Sequence, residues 1–279
     1  MNKAFGVIGG DRRQAALATL LAEEGRTVWT CGLPECPEAP DHALAADVVV
    51  LPLPLCREAG MLNCETAALP TGALFRRFRP DQLLLAGQVQ PAQRLEAESC
   101  GLTLVDYFQR EELTVANAAV TAEAAIQTAQ ERLDRTLLGM DCLVLGFGRI
   151  GRLLAYRLHG LGARVTAAAR KPSDLAWIRA YGWRALATED LRGHLDRFGA
   201  VFNTVPASIL DRTLLAELSK DCLCVELASV QGMDLDAAEE LGLPHVWARS
   251  LPGRLAPVSA AEAIRDTIVY ILKERGDPM

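Results

Sequence analysis

The chain has 279 residues, half of them hydrophobic, and carries a net charge of −6 with histidine neutral. That length is enough for two domains, each with its own core, and without a long basic run nucleic acid is not expected as a partner. No apolar segment reaches the roughly 18–20 residues of a membrane span, and the opening stretch from Met1 to Gly10 is too short and too glycine-rich for a signal peptide.

Eight cysteines and four histidines are present. No C-x-x-C pair occurs, and His42, His159, His194 and His245 are scattered, so no metal site is expected. Cys142 and Cys224 fall inside apolar strand patterns, where a thiol behaves as a small hydrophobe. Free thiols fit a reducing, cytoplasmic compartment.

The first elements predict an α/β domain with a parallel sheet. Phe5 to Ile8 reads as a strand. Gly9-Gly-Asp-Arg-Arg-Gln14 then turns into a helix with Leu17, Leu20 and Leu21 on its apolar stripe, and Gly25 ends it before a strand at 27–30. Gly10, Asp11, Arg12 and Arg13 stand where a ligand approaches a strand end, so the two arginines are candidates for an anionic substrate. The alternative is a helix start with solvated arginines. A loop rich in Pro, Cys and acids spans 32–40, and a strand at 47–52 stops at Pro52-Leu-Pro54 because proline ends a ladder. Residues 55–75 read as an irregular loop on the ligand side, followed by a strand at 83–86, a helix at 91–100 and a strand at 102–105. The alanine-rich stretch 114–135 predicts a linking helix, with Asn117 and Thr121 at its start as substrate candidates or as ordinary caps.

The most informative stretch is Asp141-Cys-Leu-Val-Leu-Gly-Phe-Gly-Arg-Ile-Gly-Arg152. An apolar run feeds Gly146, Gly148 and Gly151 in G-x-G-x-x-G spacing, and a helical pattern with Leu153, Leu154 and Leu158 follows. Gly146 suits the tight turn, Gly148 the approach of a pyrophosphate, and Gly151 close packing of helix on sheet. The N–H groups of the helix start, at Arg149, Ile150 and Gly151, then face the phosphates. A second strand at 163–169 completes a βαβ unit, the context that makes the spacing meaningful.

That second strand ends in Arg170-Lys-Pro-Ser173, where an NAD site usually places an acid. A guanidinium grips a 2′-phosphate bidentately, so Arg170, Lys171 and Ser173 favour NADP(H) over NAD(H). The alternative is a solvated basic loop in which Ser173 caps the next helix. Further strands are expected at 183–186, 200–206, 223–229 and 246–248, with helices at 174–181 and around 189–195. Strand ends at Asn203, Thr204, Val205, Pro206, Ala228 and Ser229 then border the nicotinamide. Gly253 and Arg254 read as a turn, and Ser259 as the cap of a last helix at 260–273 that returns to the first domain. Two Rossmann-like domains follow, with a ligand cleft expected between them: 1–117 plus 255–279 for substrate, and 118–254 for the dinucleotide.

Several of these stretches together resemble the A-subunit family of dipicolinate synthase. They are Gly9-Gly-Asp-Arg-Arg-Gln14, Leu51-Pro-Leu-Pro54, Asn117 with Thr121-Ala-Glu123, Leu143-Val-Leu-Gly-Phe-Gly-Arg149, Asn203-Thr-Val-Pro206 and Leu251-Pro-Gly253 with Ala256-Pro257. More distantly the order resembles the D-2-hydroxyacid and alanine dehydrogenase architecture. The chain departs from the family at Ser229-Val-Gln-Gly-Met233, where Ser-Arg-Pro-Gly-Gly is usual, and at Val258, where a basic residue is common.

The resemblance implies NADP-dependent oxidation of a dihydrodipicolinate to pyridine-2,6-dicarboxylate. It also implies partnership with a flavoprotein-like B subunit, an oligomer, and the mother cell of a sporulating bacterium. A dicarboxylate calls for cationic clamps, for which Arg12, Arg13, Arg57 and Arg254 are candidates. No catalytic residue is assigned: Asp11, Asp106 and Glu226 are the carboxylates considered as proton acceptor, with water as the alternative. Two other functions compete. One is a 2-hydroxy or 2-amino acid dehydrogenase, which needs a histidine acid, and His245 is the only histidine after residue 200. The other is a nucleotide-binding subunit whose chemistry lies on another protein.

Overall fold

The computed structural model describes residues 3–58 and 60–276. The chain divides into two compact units, Met1–Asn117 with Pro252–Met279, and Ala118–Leu251. In chain order the first holds β1 (Phe5–Ile8), α1 (Arg12–Glu23), β2 (Val28–Cys31), α2 (Pro40–Ala45), β3 (Val48–Val50), the hairpin β4 (Cys56–Glu58) and β5 (Met61–Leu62), α3 (Thr71–Phe75), β6 (Leu83–Ala86), α4 (Pro91–Ser99) and β7 (Leu104–Asp106). Its five-stranded sheet runs β2-β1-β3-β6-β7, all parallel. Both faces are covered, so Val48 and Val50 enter one core cluster while Val49 enters the other. Gly6 makes room for one cover: a Cβ there would lie 2.0 Å from the carbonyl oxygen of Ala43 in α2.

The helix α5 (Glu111–Gln130) links the two units. The second contains β8 (Asp141–Leu145), α6 (Arg149–Gly160), β9 (Arg164–Ala169), α7 (Pro172–Ala180), β10 (Arg184–Ala187), β11 (Ala200–Asn203), α8 (Arg212–Leu215), β12 (Leu223–Glu226), α9 (Leu235–Glu240) and β13 (His245–Trp247). The sheet order is β10-β9-β8-β11-β12-β13, again all parallel. Counted within the unit this is 3-2-1-4-5-6, the dinucleotide-binding order; the first unit is 2-1-3-4-5, the flavodoxin-like one. Both are doubly wound, and in both the strand order reverses beside the strand that carries a glycine turn.

The helices α10 (Leu251–Leu255) and α11 (Pro257–Glu274) end the chain. Ile264, Ile268 and Ile271 of α11 share a buried cluster with Leu17 and Leu21 of α1, so the last helix packs within the first unit. Each such side chain contributes about 1.5–3 kcal/mol on burial.

The structure corrects several local expectations. The loop expected at 32–40 ends where Pro40 opens α2, a helix that was not among the expected elements. Residues 55–75 hold a hairpin and α3. The helix expected around 189–195 is a 3-10 turn at Thr188–Asp190, and Gly193, at φ +76°, carries the chain away. Gly253 and Arg254 lie in α10 rather than a turn, and α11 is capped at Ala256 rather than Ser259 because Pro257 takes its first position. The linking helix begins at Glu111, so Asn117 and Thr121 stand inside it rather than at its start.

Candidate functional site

In the second unit the glycine turn follows β8. Gly146 has φ +94°, and a Cβ on it would lie 2.5 Å from Thr204 Oγ1 and 2.7 Å from Val205 Cγ2. Gly151 is excluded from any larger residue by the Gly146 carbonyl oxygen, 2.1 Å from its Cβ position. Gly148 differs: nothing lies within 4 Å of its Cβ position. It is the N-cap of α6 and supplies no side-chain cap to the first turn. The turn is braced from outside. Arg152 Nε donates to the Phe147 carbonyl at 2.9 Å, its guanidinium lies 4.9 Å from the Phe147 ring centroid, and it pairs with Asp174 at 3.2 Å.

Thr204 is tied to the same turn, its hydroxyl donating to the Leu145 carbonyl at 2.8 Å. Asn203 is fully buried and donates from Nδ2 to both oxygens of Glu226, at 3.0 and 2.9 Å. Glu226, also fully buried, accepts further from the backbone N–H of Ala228, Gly232 and Met233 at 2.9, 2.9 and 2.8 Å. One carboxylate therefore fixes the loops after β11 and β12 side by side. The structure brings Asn203, Thr204, Val205, Ala228 and Ser229 to the edge that carries Gly146. The exposed Pro206 follows on the same loop.

At the end of β9, Arg170, Lys171 and Ser173 are exposed. Arg170 lines a cavity of about 350 Å³ with Thr188, Glu189, Val205 and Ser208. Lys171, not Ser173, is the N-cap of α7, because Pro172 occupies the first helical position. Thr188, Glu189 and Ser208 were not among the sequence candidates. They come from turns with no motif, and only the fold places them beside Arg170.

In the first unit the turn after β1 is closed. Gly9 and Gly10 have φ +66° and +115°. Asp11 caps α1, accepting from Arg13 N at 3.0 Å, and the Gln14 side chain completes a capping box. Arg13 is buried and engaged: its guanidinium binds Asp11 at 2.9 and 2.8 Å and donates to the Leu53 carbonyl, just before the cis Leu53–Pro54 bond. Burial alone would raise the Asp11 pKa, but the hydrogen bonds and charge of Arg13 outweigh it and hold the carboxyl below its usual range. Gly253 packs on this pair, its Cβ position 3.2 Å from both Arg13 Nε and Asp11 Oδ2. Pro52 is buried, and its carbonyl accepts from Gly87 N at 3.0 Å. Arg12 and Arg254 are exposed neighbours without an ion pair among the described residues, and Arg12 reaches the Arg254 carbonyl at 3.5 Å. Arg57 lines another cavity, of about 420 Å³, and pairs with Glu65 at 3.2 Å.

The three carboxylates considered as proton acceptors are all engaged as acceptors within their own unit. Asp106 receives Gln88, Val89 and Phe108 N–H, each at 2.9 Å, while Asp11 and Glu226 are held as described. His245 stands at the N-terminal end of β13, the sheet edge opposite Gly146. Its Nδ1 lies 3.0 Å from the Leu243 carbonyl oxygen. Among the described residues no group of His, Cys, Asp or Glu could hold a metal ion, and no helix is long and apolar enough to cross a membrane.

Comparison with known proteins agrees with this geometry. Residues 4–108 match the model of the N-terminal domain of the dipicolinate synthase A subunit. The chain is 28% identical to the A subunit of dipicolinate synthase from Bacillus subtilis (strain 168), over 96% of this chain and 95% of that one. The chain is similar to the dipicolinate synthase A subunit along nearly its whole length. The crystal structure of that subunit from Bacillus halodurans superposes with a TM-score of 0.86 at 26% identity, covering 98% of both chains. A transhydrogenase from Sinorhizobium meliloti, at 16% identity and a TM-score of 0.69 over 97% of this chain and 85% of that one, shares the fold alone. An L-alanine dehydrogenase, at 16% identity and a TM-score of 0.64 over 97% of this chain and 90% of that one, likewise shares the fold alone.

Proposed function

We propose that this chain oxidises a dihydrodipicolinate to pyridine-2,6-dicarboxylate with NADP+, as the A subunit of a dipicolinate synthase. In this reading Met1–Asn117 with the C-terminal helices binds substrate, and Ala118–Leu251 binds the dinucleotide. The observation that carries it is the open Gly148 turn with Arg170 at the end of β9, on a chain similar throughout to the A subunit of dipicolinate synthase. The residues fit the cofactor. The uncapped start of α6 at Gly148, Arg149, Ile150 and Gly151 suits a pyrophosphate. Arg170, with Lys171 and Ser173 beside it, suits the 2′-phosphate of NADP(H) rather than the bare hydroxyl of NAD(H). Asn203, Thr204, Val205, Pro206, Ala228 and Ser229 border the nicotinamide.

A nicotinamide held by these residues would supply the hydride acceptor. Aromatisation of the ring releases that hydride and one proton, so NADP+ and dihydrodipicolinate yield NADPH, dipicolinate and H+. Arg12 and Arg254, which form no ion pair among the described residues, suit the two carboxylates. Arg13 keeps the turn in place through Asp11. Asp11, Asp106 and Glu226 already accept from their own unit, which favours water as the proton acceptor. Their engagement also supports a second reading, in which this chain binds nucleotide and turns over only with a flavoprotein-like B subunit. The same resemblance supports the mother cell of a sporulating bacterium as the setting.

One reaction tests both readings. The purified chain receives NADP+ and freshly generated hydroxytetrahydrodipicolinate, which gives the dihydro compound by loss of water, with a no-enzyme control, while NADPH and dipicolinate are followed together. Matched appearance of the two supports oxidation by this chain. Turnover only after the B subunit is added supports the second reading. No turnover in either case removes the substrate assignment.

A further inference from the structure

Resting on the dinucleotide site proposed for the second unit, we infer that Glu189 selects the base of the dinucleotide by accepting a hydrogen bond from the 6-amino group of adenine. The register of β9 and β10 puts it in place. Ala169 pairs with Ala187, so the two strands end level, and Arg170 and Thr188 follow them side by side. The single 3-10 turn Thr188–Asp190 then leaves Glu189 exposed at the rim. From the other side the loop after β11 brings Val205, Ala207, Ser208 and Ile209, and together these residues enclose the cavity of about 350 Å³.

Its walls divide by chemistry. Val205 and Ile209 are half-buried and apolar, with Ala207 beside them, and such walls suit the faces of a flat aromatic base. Arg170 and Glu189 bring opposite charges to the same cavity, yet among the described residues neither forms an ion pair. Both are therefore left for a ligand. The ribose carbon that carries the base adjoins the one that carries the 2′-phosphate. A 2′-phosphate on Arg170 thus brings the base into the cavity that Arg170 lines.

Donors and acceptors fix which edge of the base meets the acid. An ionised carboxylate only accepts. The ring nitrogens of adenine also only accept, and its 6-amino group is the one donor on the edge of the base. Glu189 meets adenine favourably at that amine and nowhere else. The hydroxyls of Thr188 and Ser208 donate as well as accept, so they do not discriminate in this way.

The test compares NADPH with its hypoxanthine counterpart, in which a carbonyl oxygen replaces the amine. Both carry the same phosphates, so any repulsion between Glu189 and phosphate cancels in the ratio of their affinities. Calorimetry on the full chain is expected to show a preference of about tenfold for NADPH. Glu189→Gln, whose amide donates as well as accepts, should narrow that preference to within about twofold. Asp190→Asn removes one charge from the same exposed turn but outside the cavity, and should keep the full preference. Thermal unfolding of both variants should match the wild type, which separates a lost contact from a damaged fold. Equal affinities in the wild type, or a preference that survives Glu189→Gln, would overturn the inference and leave the dinucleotide site standing. Binding of neither dinucleotide would remove that site and the inference with it.

Discussion

The two units begin alike: a buried strand, a glycine turn with positive φ, and a helix. They differ in what meets the helix start. At α1 the side chain of Asp11 accepts the Arg13 N–H, and its remaining capacity goes to the Arg13 guanidinium. At α6 the N-cap is Gly148, which offers no side chain. A helix start satisfied by its own chain has little left for a phosphate, whereas one capped by glycine keeps its donors for a ligand. Topology alone does not choose between them, because both turns sit where their sheet reverses order. The cap does, and the two turns can be tested against each other.

The largest effect is expected at the closed turn. Asp11→Ala removes the partner of a buried guanidinium, and an orphaned buried charge of this kind costs about 3–5 kcal/mol. Denaturant unfolding should show that loss. NADPH affinity should change little, since the second unit keeps its turn. A stable Asp11→Ala protein would mean that the pair contributes nothing to closure of the first turn.

At the open turn the expectation is reversed. Gly148→Ala places a methyl in open space at φ −77°, which alanine tolerates, so stability should hold or rise slightly. The same methyl would stand in the approach of the proposed pyrophosphate. NADPH binding, followed by fluorescence or calorimetry, should weaken about tenfold to a hundredfold, or about 1.4–2.8 kcal/mol. Unchanged binding would remove the open turn as the dinucleotide site. Arg170→Ser should act more selectively, costing NADPH about tenfold while leaving NADH within about twofold, since only the 2′-phosphate contact is removed. Equal losses for the two dinucleotides would reassign Arg170 to the adenosine or to the fold.

Much of this arrangement was readable from local chemistry. The strands announce themselves as short apolar runs ended by glycine or proline, because both faces of a parallel sheet are buried. The glycine turn is legible because Gly146 and Gly151 answer steric demands that spacing reports, while Gly148 is the position left open. Short helices were not. The helices α8 and α9 have four and six residues, too few for a periodic stripe, although Asp211 and Asp234 cap them by accepting from Leu214 and Ala237 N–H at 2.9 and 3.0 Å. The cap signal was present without a pattern to attach it to. Roles of carboxylates were also hidden. Glu226 draws its donors from Asn203, Ala228, Gly232 and Met233, and only the pairing of β11 with β12 brings Asn203 to it. Sequence alone could not tell a proton acceptor from a carboxylate that holds two loops together.

The smallest expected effect concerns the same acid by its pH dependence. The Asp11 carboxyl titrates below its usual range in the folded chain, whereas in the unfolded chain it titrates near 3.9. A lowered folded pKa means that the unfolded state takes up the proton first. Its stabilising contribution is therefore complete above about pH 4 and fades as the pH falls through the folded pKa. Asp11→Asn keeps an acceptor at the cap but has nothing to titrate. Its stability should start lower at pH 7 and fall less steeply below about pH 4, so the two unfolding curves converge in acid. The salt dependence of the difference should be slight, because Arg13 and Asp11 are only 9% and 12% exposed and mobile ions screen buried pairs poorly. Parallel curves that never converge would mean that the cap, rather than the ion pair, carries the stability of the closed turn.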